Sequence, residues 1–168
     1  LLTCHDGNVS ISTMHFKDGE SSLKWVFESN SQIHIHVPVE YKRPPSDGKD
    51  SRISTFGVYI YNTSAINEFV RFEFLYNGRV KASFKANIDF EGWRSIFVKF
   101  DVDMEGNPCE DMNEIRIIAP NTSGTLYFDQ MVTSNAVDPR SPVASFQVPF
   151  VKRDKIAPAD GSIYTYYN

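Results

Sequence analysis

Residues 69–88 read FVRFEFLYNGRVKASFKANI, two runs of alternating apolar and polar side chains joined at Tyr76-Asn77-Gly78-Arg79. Asn-Gly supplies the two positive-φ positions of a type I′ turn, whose twist matches that of the strands it connects. The stretch is therefore expected to be a β-hairpin. Side chains alternate across a strand, so Val70, Phe72, Phe74, Val80, Ala82 and Phe84 should face a core, with Arg71, Glu73, Lys81, Ser83 and Lys85 on the other side. Pairing of the strands brings the basic members of the second set together.

The same period-two pattern extends in both directions and predicts strands at 9–14, 22–28, 31–39, 54–62, 69–76, 79–88, 93–102, 114–119 and 124–133. In QIHIHVPV, Ile33, Ile35, Val37 and Val39 share a face that reads as core, and His34, His36 and Pro38 share the other. Tyr59 and Tyr61 face away from Phe56, Val58 and Ile60. In the connection IDFEGWR, Gly92 permits a positive φ and Trp93 is placed to cover the end of the core. Strands of this number, separated by KDGE, YNTSAIN, YNGR, FEGW and APNTSG, indicate an antiparallel β-sandwich of jelly-roll type. Residues 1–135 form that sandwich. Residues 136–168 carry several prolines and lose the alternation, which reads as an extended strap toward something C-terminal.

Bulk properties narrow the function. A chain of 168 residues suits one domain, and a net charge of −4 disfavours a general nucleic-acid binder. No run approaches the ~20 apolar residues of a membrane span. LLTCHDGN lacks the charged and apolar regions of a signal peptide, so a leader on an exported parent would have been removed or would lie outside these residues. Cys4 and Cys109 can form one bridge or remain as thiols, and thiols are the expectation.

No nucleophile elbow, P-loop or zinc-protease motif occurs, and no catalytic residue is assigned. His34 and His36 have a spacing used in metal sites, but no third ligand follows, and a solvent-facing pair is expected. Sequons at Asn8, Asn62 and Asn121 lie at or near turns. The outward Tyr59, Tyr61, Arg71, Lys81 and Lys85 suit an anionic sugar, with aromatic faces for rings and cations for sulfate or carboxylate. An ordinary solvated sheet face accounts for them equally well. The acidic turn KDGES, with Asp129 out of phase with Leu126 and Phe128, has the oxygen chemistry of a hard-cation site.

The order of ESSLKWVF, FGVYIYN, FEFLYNG, KANIDFEGWRSIFV, IRIIAPNTSGTLYFDQM and SFQVPFVKRDK resembles the N-terminal domain of the chondroitin sulfate ABC lyases, a polysaccharide lyase family. That resemblance implies a carbohydrate-binding-module-like jelly roll ahead of a helical toroid. In the toroid, β-elimination is carried out by His, Tyr, Arg and Glu residues that lie outside this sequence. It implies chondroitin or dermatan sulfate and the C-terminal catalytic domain as partners, a bacterial periplasmic or secreted location, and no organic cofactor. It further nominates a structural calcium ion held by backbone oxygens of Asp18 and Ser21 and the carboxylate of Asp129. The chain then contacts the polysaccharide without cleaving it, or packs on the toroid as a purely structural domain.

Overall fold

A computed structural model describes residues 1–45 and 52–137. Among these the fold is all-β: β1 (Leu2–Ser12), β2 (Ser22–His36), β3 (Arg52–Asn62), β4 (Phe69–Tyr76), β5 (Arg79–Asn87), β6 (Gly92–Lys99), β7 (Glu105–Gly106), β8 (Glu114–Ile118) and β9 (Gly124–Val137). All ladders are antiparallel. The hydrogen-bonded order is β6-β3-β9-β2-β8-β4-β5-β7, with β1 on β2. No helix of the described residues is long and apolar enough to cross a membrane.

This single path becomes two facing layers because β2 changes partner along its length. Leu23–Phe27 pair with β9, and Gln32–His36 pair with β8. Strand β1 follows both halves, with an irregularity between His5 and Gly7 where β2 has its own break. Asp6 and Asn30 take φ of 53° and 59° there, and the two-stranded ribbon turns a corner. Ser31 secures it, accepting from Glu28 N at 2.9 Å and donating to the Asp6 carbonyl. One layer, the β3 sheet, is β6-β3-β9 with the first half of β2. The other, the β4 sheet, is β8-β4-β5-β7 with the second half.

The core lies between the layers. Phe56 of the β3 sheet meets Phe72, Phe74 and Phe84 of the β4 sheet at ring separations of 5.5, 5.1 and 5.7 Å. Trp25, Phe27, Phe56, Phe72 and Phe74 are essentially inaccessible. Each such side chain contributes about 1.5–3 kcal/mol of burial. Near Phe100 the buried Tyr41 donates to Asp101 at 2.7 Å. Burial, reinforced by that carboxylate, pushes the Tyr41 phenol well above its ordinary value.

The hairpin is present as expected, with Asn77 and Gly78 at φ of 49° and 71°. Several boundaries differ. The expected strand at 9–14 runs instead from Leu2 to Ser12: the polar LTCHDGN segment pairs as an edge, which needs no apolar alternation. The strands expected at 22–28 and 31–39 are one bent strand. Val39 is buried as expected, but Val37 is 38% exposed. In the hairpin, Phe74 pairs with Ala82 and Leu75 with Val80, which leaves Lys81 as an extra residue. This bulge reverses the phase of β5 ahead of Lys81, so Val80 leaves the core face, joins its partner Leu75 on the outer one and is 45% exposed. The proposed strap at 136–168 overlaps the last strand at its start and from residue 138 lies outside the described residues.

Candidate functional site

The candidate glycan-contacting residues divide between opposite sides of the sandwich. Tyr59 and Tyr61 lie on the outer face of the β3 sheet, and Arg71, Lys81 and Lys85 on the outer face of the β4 sheet. The aromatic and basic groups therefore cannot form one platform, because the core stands between them.

On the β3 sheet, cross-strand register aligns Trp93, Tyr61, Tyr127 and Lys24 in one row. Trp93 is thus a member of an outer-face aromatic row, not a cover for the end of the core. Its position follows from pairing with Tyr61 directly after Gly92, whose φ is 88°. The β1–β2 connection lies over the row. His15 stacks on Tyr61 at 3.9 Å and meets the edge of Tyr127 at 4.8 Å, while Lys17 Nζ is 5.5 Å from the Trp93 ring. Ser22 Oγ donates to the His15 carbonyl and holds the connection down. One face of Tyr61 is consequently occupied by protein.

Asp129 fixes the same connection farther along. Its Oδ2 accepts from Lys17 N at 2.5 Å and Asp18 N at 3.1 Å, and its Oδ1 accepts from Gln130 N at 2.7 Å. Gln130, at φ 47°, donates through Nε2 to Asp18 Oδ2 at 3.0 Å. Ser21 lines the concavity to which Asp129 belongs. Asp18 and Asp129 therefore meet at one corner near Ser21, where a hard cation would have the oxygen ligands it needs only by sharing Asp129 with the three backbone N–H groups already on it. Among the described residues no three His, Cys, Asp or Glu side chains converge as metal ligands, so hydroxyl, backbone or water oxygens would complete the shell.

The β4 sheet carries a different surface. Thr3, His34, Arg116, Glu73, Ser83 and Glu105 form a row that crosses its strands, with His5, Gln32, Ile118, Arg71 and Lys85 in the next. Arg116 donates to Glu73 Oε2 through Nε at 2.8 Å and Nη2 at 2.5 Å. Arg71 Nη1 stands 4.0 Å from Glu73 Oε1. His34 Nδ1 is 2.6 Å from Glu114 Oε1, and His5 approaches the His34 ring edge-on at 5.2 Å. Lys85 is directly opposite Arg71, with its Nζ 4.4 Å from the Phe69 ring centroid. Glu73 and Ser83 are buried although they face outward, because the long side chains of the face cover one another.

Gln32, His34, Glu114 and Arg116 belong to this face and were not among the candidate glycan residues. Alternation marks them as outward, yet only the β2–β8–β4 pairing sets them beside Glu73. Elsewhere, Cys4 and Cys109 are free, and burial pushes the Cys4 thiol above its ordinary value, away from thiolate chemistry. Asn62 is fully buried and donates to the Ile88 carbonyl at 2.8 Å, which closes that sequon to modification. Arg94 pairs with Asp89 at 3.1 Å and lies over Phe90 at 4.1 Å, a structural role within its connection.

Comparison with known proteins agrees with this architecture. The family described as "Lyase, N terminal" matches residues 1–150. The chain is 41% identical over 150 residues to the chondroitin sulfate ABC exolyase of Bacteroides thetaiotaomicron, covering 89% of this chain and 15% of that protein. It is 35% identical over 151 residues to the exolyase of the same name from Proteus vulgaris, covering 90% and 15%. Among solved structures, the family 11 carbohydrate-binding module of Clostridium thermocellum in complex with a β-1,3-1,4-mixed-linked tetrasaccharide superposes with a TM-score of 0.52. That match is 15% identical and covers 82% of this chain and 89% of the module, a likeness of fold. The chain thus spans 15% of the length of these curated relatives.

Proposed function

We propose, from the premise that this chain belongs to the family described as "Lyase, N terminal", that it is the noncatalytic, carbohydrate-binding-like N-terminal domain of a bacterial chondroitin or dermatan sulfate lyase. In this role it contacts the polysaccharide through the outer face of the β4 sheet and helps to position it for a catalytic domain in the same polypeptide. The observation that carries this reading is the Arg71–Lys85 pair. Like charges placed directly opposite across two strands cost stability, and here a half-buried Arg71 faces an exposed Lys85, with Lys81 two positions beyond Ser83. A bound sulfate or carboxylate relieves that repulsion. Export to the periplasm or beyond belongs to the same proposal, since the polymer is extracellular.

Calorimetric titration of the domain with chondroitin sulfate oligosaccharides at low salt tests the contact. Saturable heat that diminishes as salt is added is expected, because exposed ion pairs are screened. An absence of heat at millimolar ligand would leave the alternative, a domain whose role is only to pack on its catalytic neighbour. An assay for unsaturated product should show no turnover by this chain alone.

A calcium ion at the Asp18, Ser21 and Asp129 corner is a separate proposal, supported by the meeting of the two carboxylates through Gln130. Ion binding to the native state raises stability by about 2.7 kcal/mol at a hundredfold excess over the dissociation constant. Asp129→Asn should abolish that increment. It should also weaken the acceptors of Lys17 N, Asp18 N and Gln130 N, so the variant melts lower even in chelator. Equal melting temperatures of the unsubstituted domain in calcium and in chelator would remove the ion and leave Asp129 as an acceptor for backbone amides.

A further inference from the structure

The cations of the β4 sheet face are not equivalent, and their differences follow from a single carboxylate. Arg116 places two of its donors on one oxygen of Glu73, a charge-assisted pair whose side chains are only 25% and 9% exposed. A guanidinium neutralised in this way has little attraction left for another anion. Arg71, 39% exposed, is at 4.0 Å from the second oxygen, beyond hydrogen-bond reach, and keeps its donors for a ligand. Lys85 stands opposite Arg71, and no carboxylate among the described residues pairs with it.

We propose that Glu73 is the specificity-determining residue of this face: by saturating Arg116 it leaves Arg71 and Lys85 as a two-pronged subsite for one anionic oxygen fork, a sulfate ester or a uronate carboxylate. This rests on the glycan contact proposed above. An anion set over Arg116 meets the Glu73 carboxylate and is repelled. An anion shifted toward β5 meets the planar fork of Arg71 and draws to its other side the flexible ammonium of Lys85, which otherwise rests over the Phe69 ring. The face therefore accepts a polyanion in one lateral position, along the β4–β5 hairpin, instead of anywhere across the sheet.

The experiment is calorimetric titration, over a series of salt concentrations, with a chondroitin sulfate hexasaccharide and with its desulfated counterpart. If sulfate is the group held, desulfation weakens binding; if carboxylate is held, the two bind alike. Arg71→Gln and Lys85→Gln should each weaken binding of the preferred oligosaccharide about tenfold, the loss of one charge-assisted contact. Glu73→Gln, which keeps the size and one acceptor for Arg116, should strengthen binding several-fold and steepen the salt dependence by roughly one counterion. Glu73→Gln/Arg116→Gln removes both charges and should bind like the unsubstituted chain, which keeps the test available if the single variant folds poorly. Oligosaccharide binding undisturbed by Arg71→Gln and Lys85→Gln would overturn the subsite while glycan contact stands. A natively folded Glu73→Gln with unchanged affinity and salt slope, or a double variant that loses affinity, would overturn the role of Glu73. An unsubstituted chain that binds neither oligosaccharide refutes the glycan contact itself.

Discussion

Phe72→Ala is expected to lower the stability of the domain by about 3–5 kcal/mol, a large part of the 5–15 kcal/mol typical of a domain. The ring is inaccessible and is held from both layers. It stacks on Phe84 at 4.9 Å with an interplanar angle of 2°, meets Phe56 at 5.5 Å and receives the edge of Phe128 at 6.2 Å. Truncation removes the contact surface and leaves a cavity that sheets pinned by hydrogen bonds cannot close. Urea unfolding measures the loss. Phe97→Ala, at a ring 49% exposed, should change stability by less than about 0.5 kcal/mol. A loss at Phe72 as small as that at Phe97 would show that the layers repack around the gap.

Arg116→Met is expected to cost about 3 kcal/mol, the lower end of the range for breaking a buried ion pair. The size of the effect comes from the partner left behind. The Glu73 side chain is 9% exposed, and without Arg116 its nearest cation is Arg71 at 4.0 Å. Glu73→Gln should be milder, because the stranded group is then Arg116, 25% exposed and able to reach water along its length. Glu73→Gln/Arg116→Met strands neither charge and should recover most of the loss. Denaturant unfolding of the four proteins forms a double-mutant cycle. Equal costs for the two single changes would contradict the assignment of Glu73 as the more deeply desolvated partner.

Much of this architecture is legible in the one-dimensional pattern, and for a local reason. Successive side chains of a strand point to opposite faces, so Phe56, Val58 and Ile60 are inward and Tyr59 and Tyr61 outward whatever the strand pairs with. Asn77-Gly78 likewise settles its own turn, because the required positive φ is a property of those two residues. Family membership is legible too, in the order of short stretches from ESSLKWVF to LYFDQM, and the match over residues 1–150 bears it out.

What the pattern could not decide depends on partners far away in the chain. A single extra residue at Lys81 moved Val80 off the core face, and a bulge leaves no mark on alternation until the opposite strand is in register. Asn30 bends β2 between two layers, yet the break in apolar phase at 28–31 reads equally as a turn between two strands. Outwardness carries no sheet address. Tyr59 and Arg71 both point away from the core, but β3 pairs with β9 and β6 while β4 pairs with β8 and β5, so one sandwich separates them. The amino-acid sequence by itself determined the strands, the principal turn and the faces of most side chains, since these follow from backbone geometry over a few residues. Only the tertiary structure placed Arg116 on Glu73, Lys85 opposite Arg71 and the Lys17–Asp18 amides on Asp129, because interstrand hydrogen bonds choose those neighbours across 14 to 112 positions of chain.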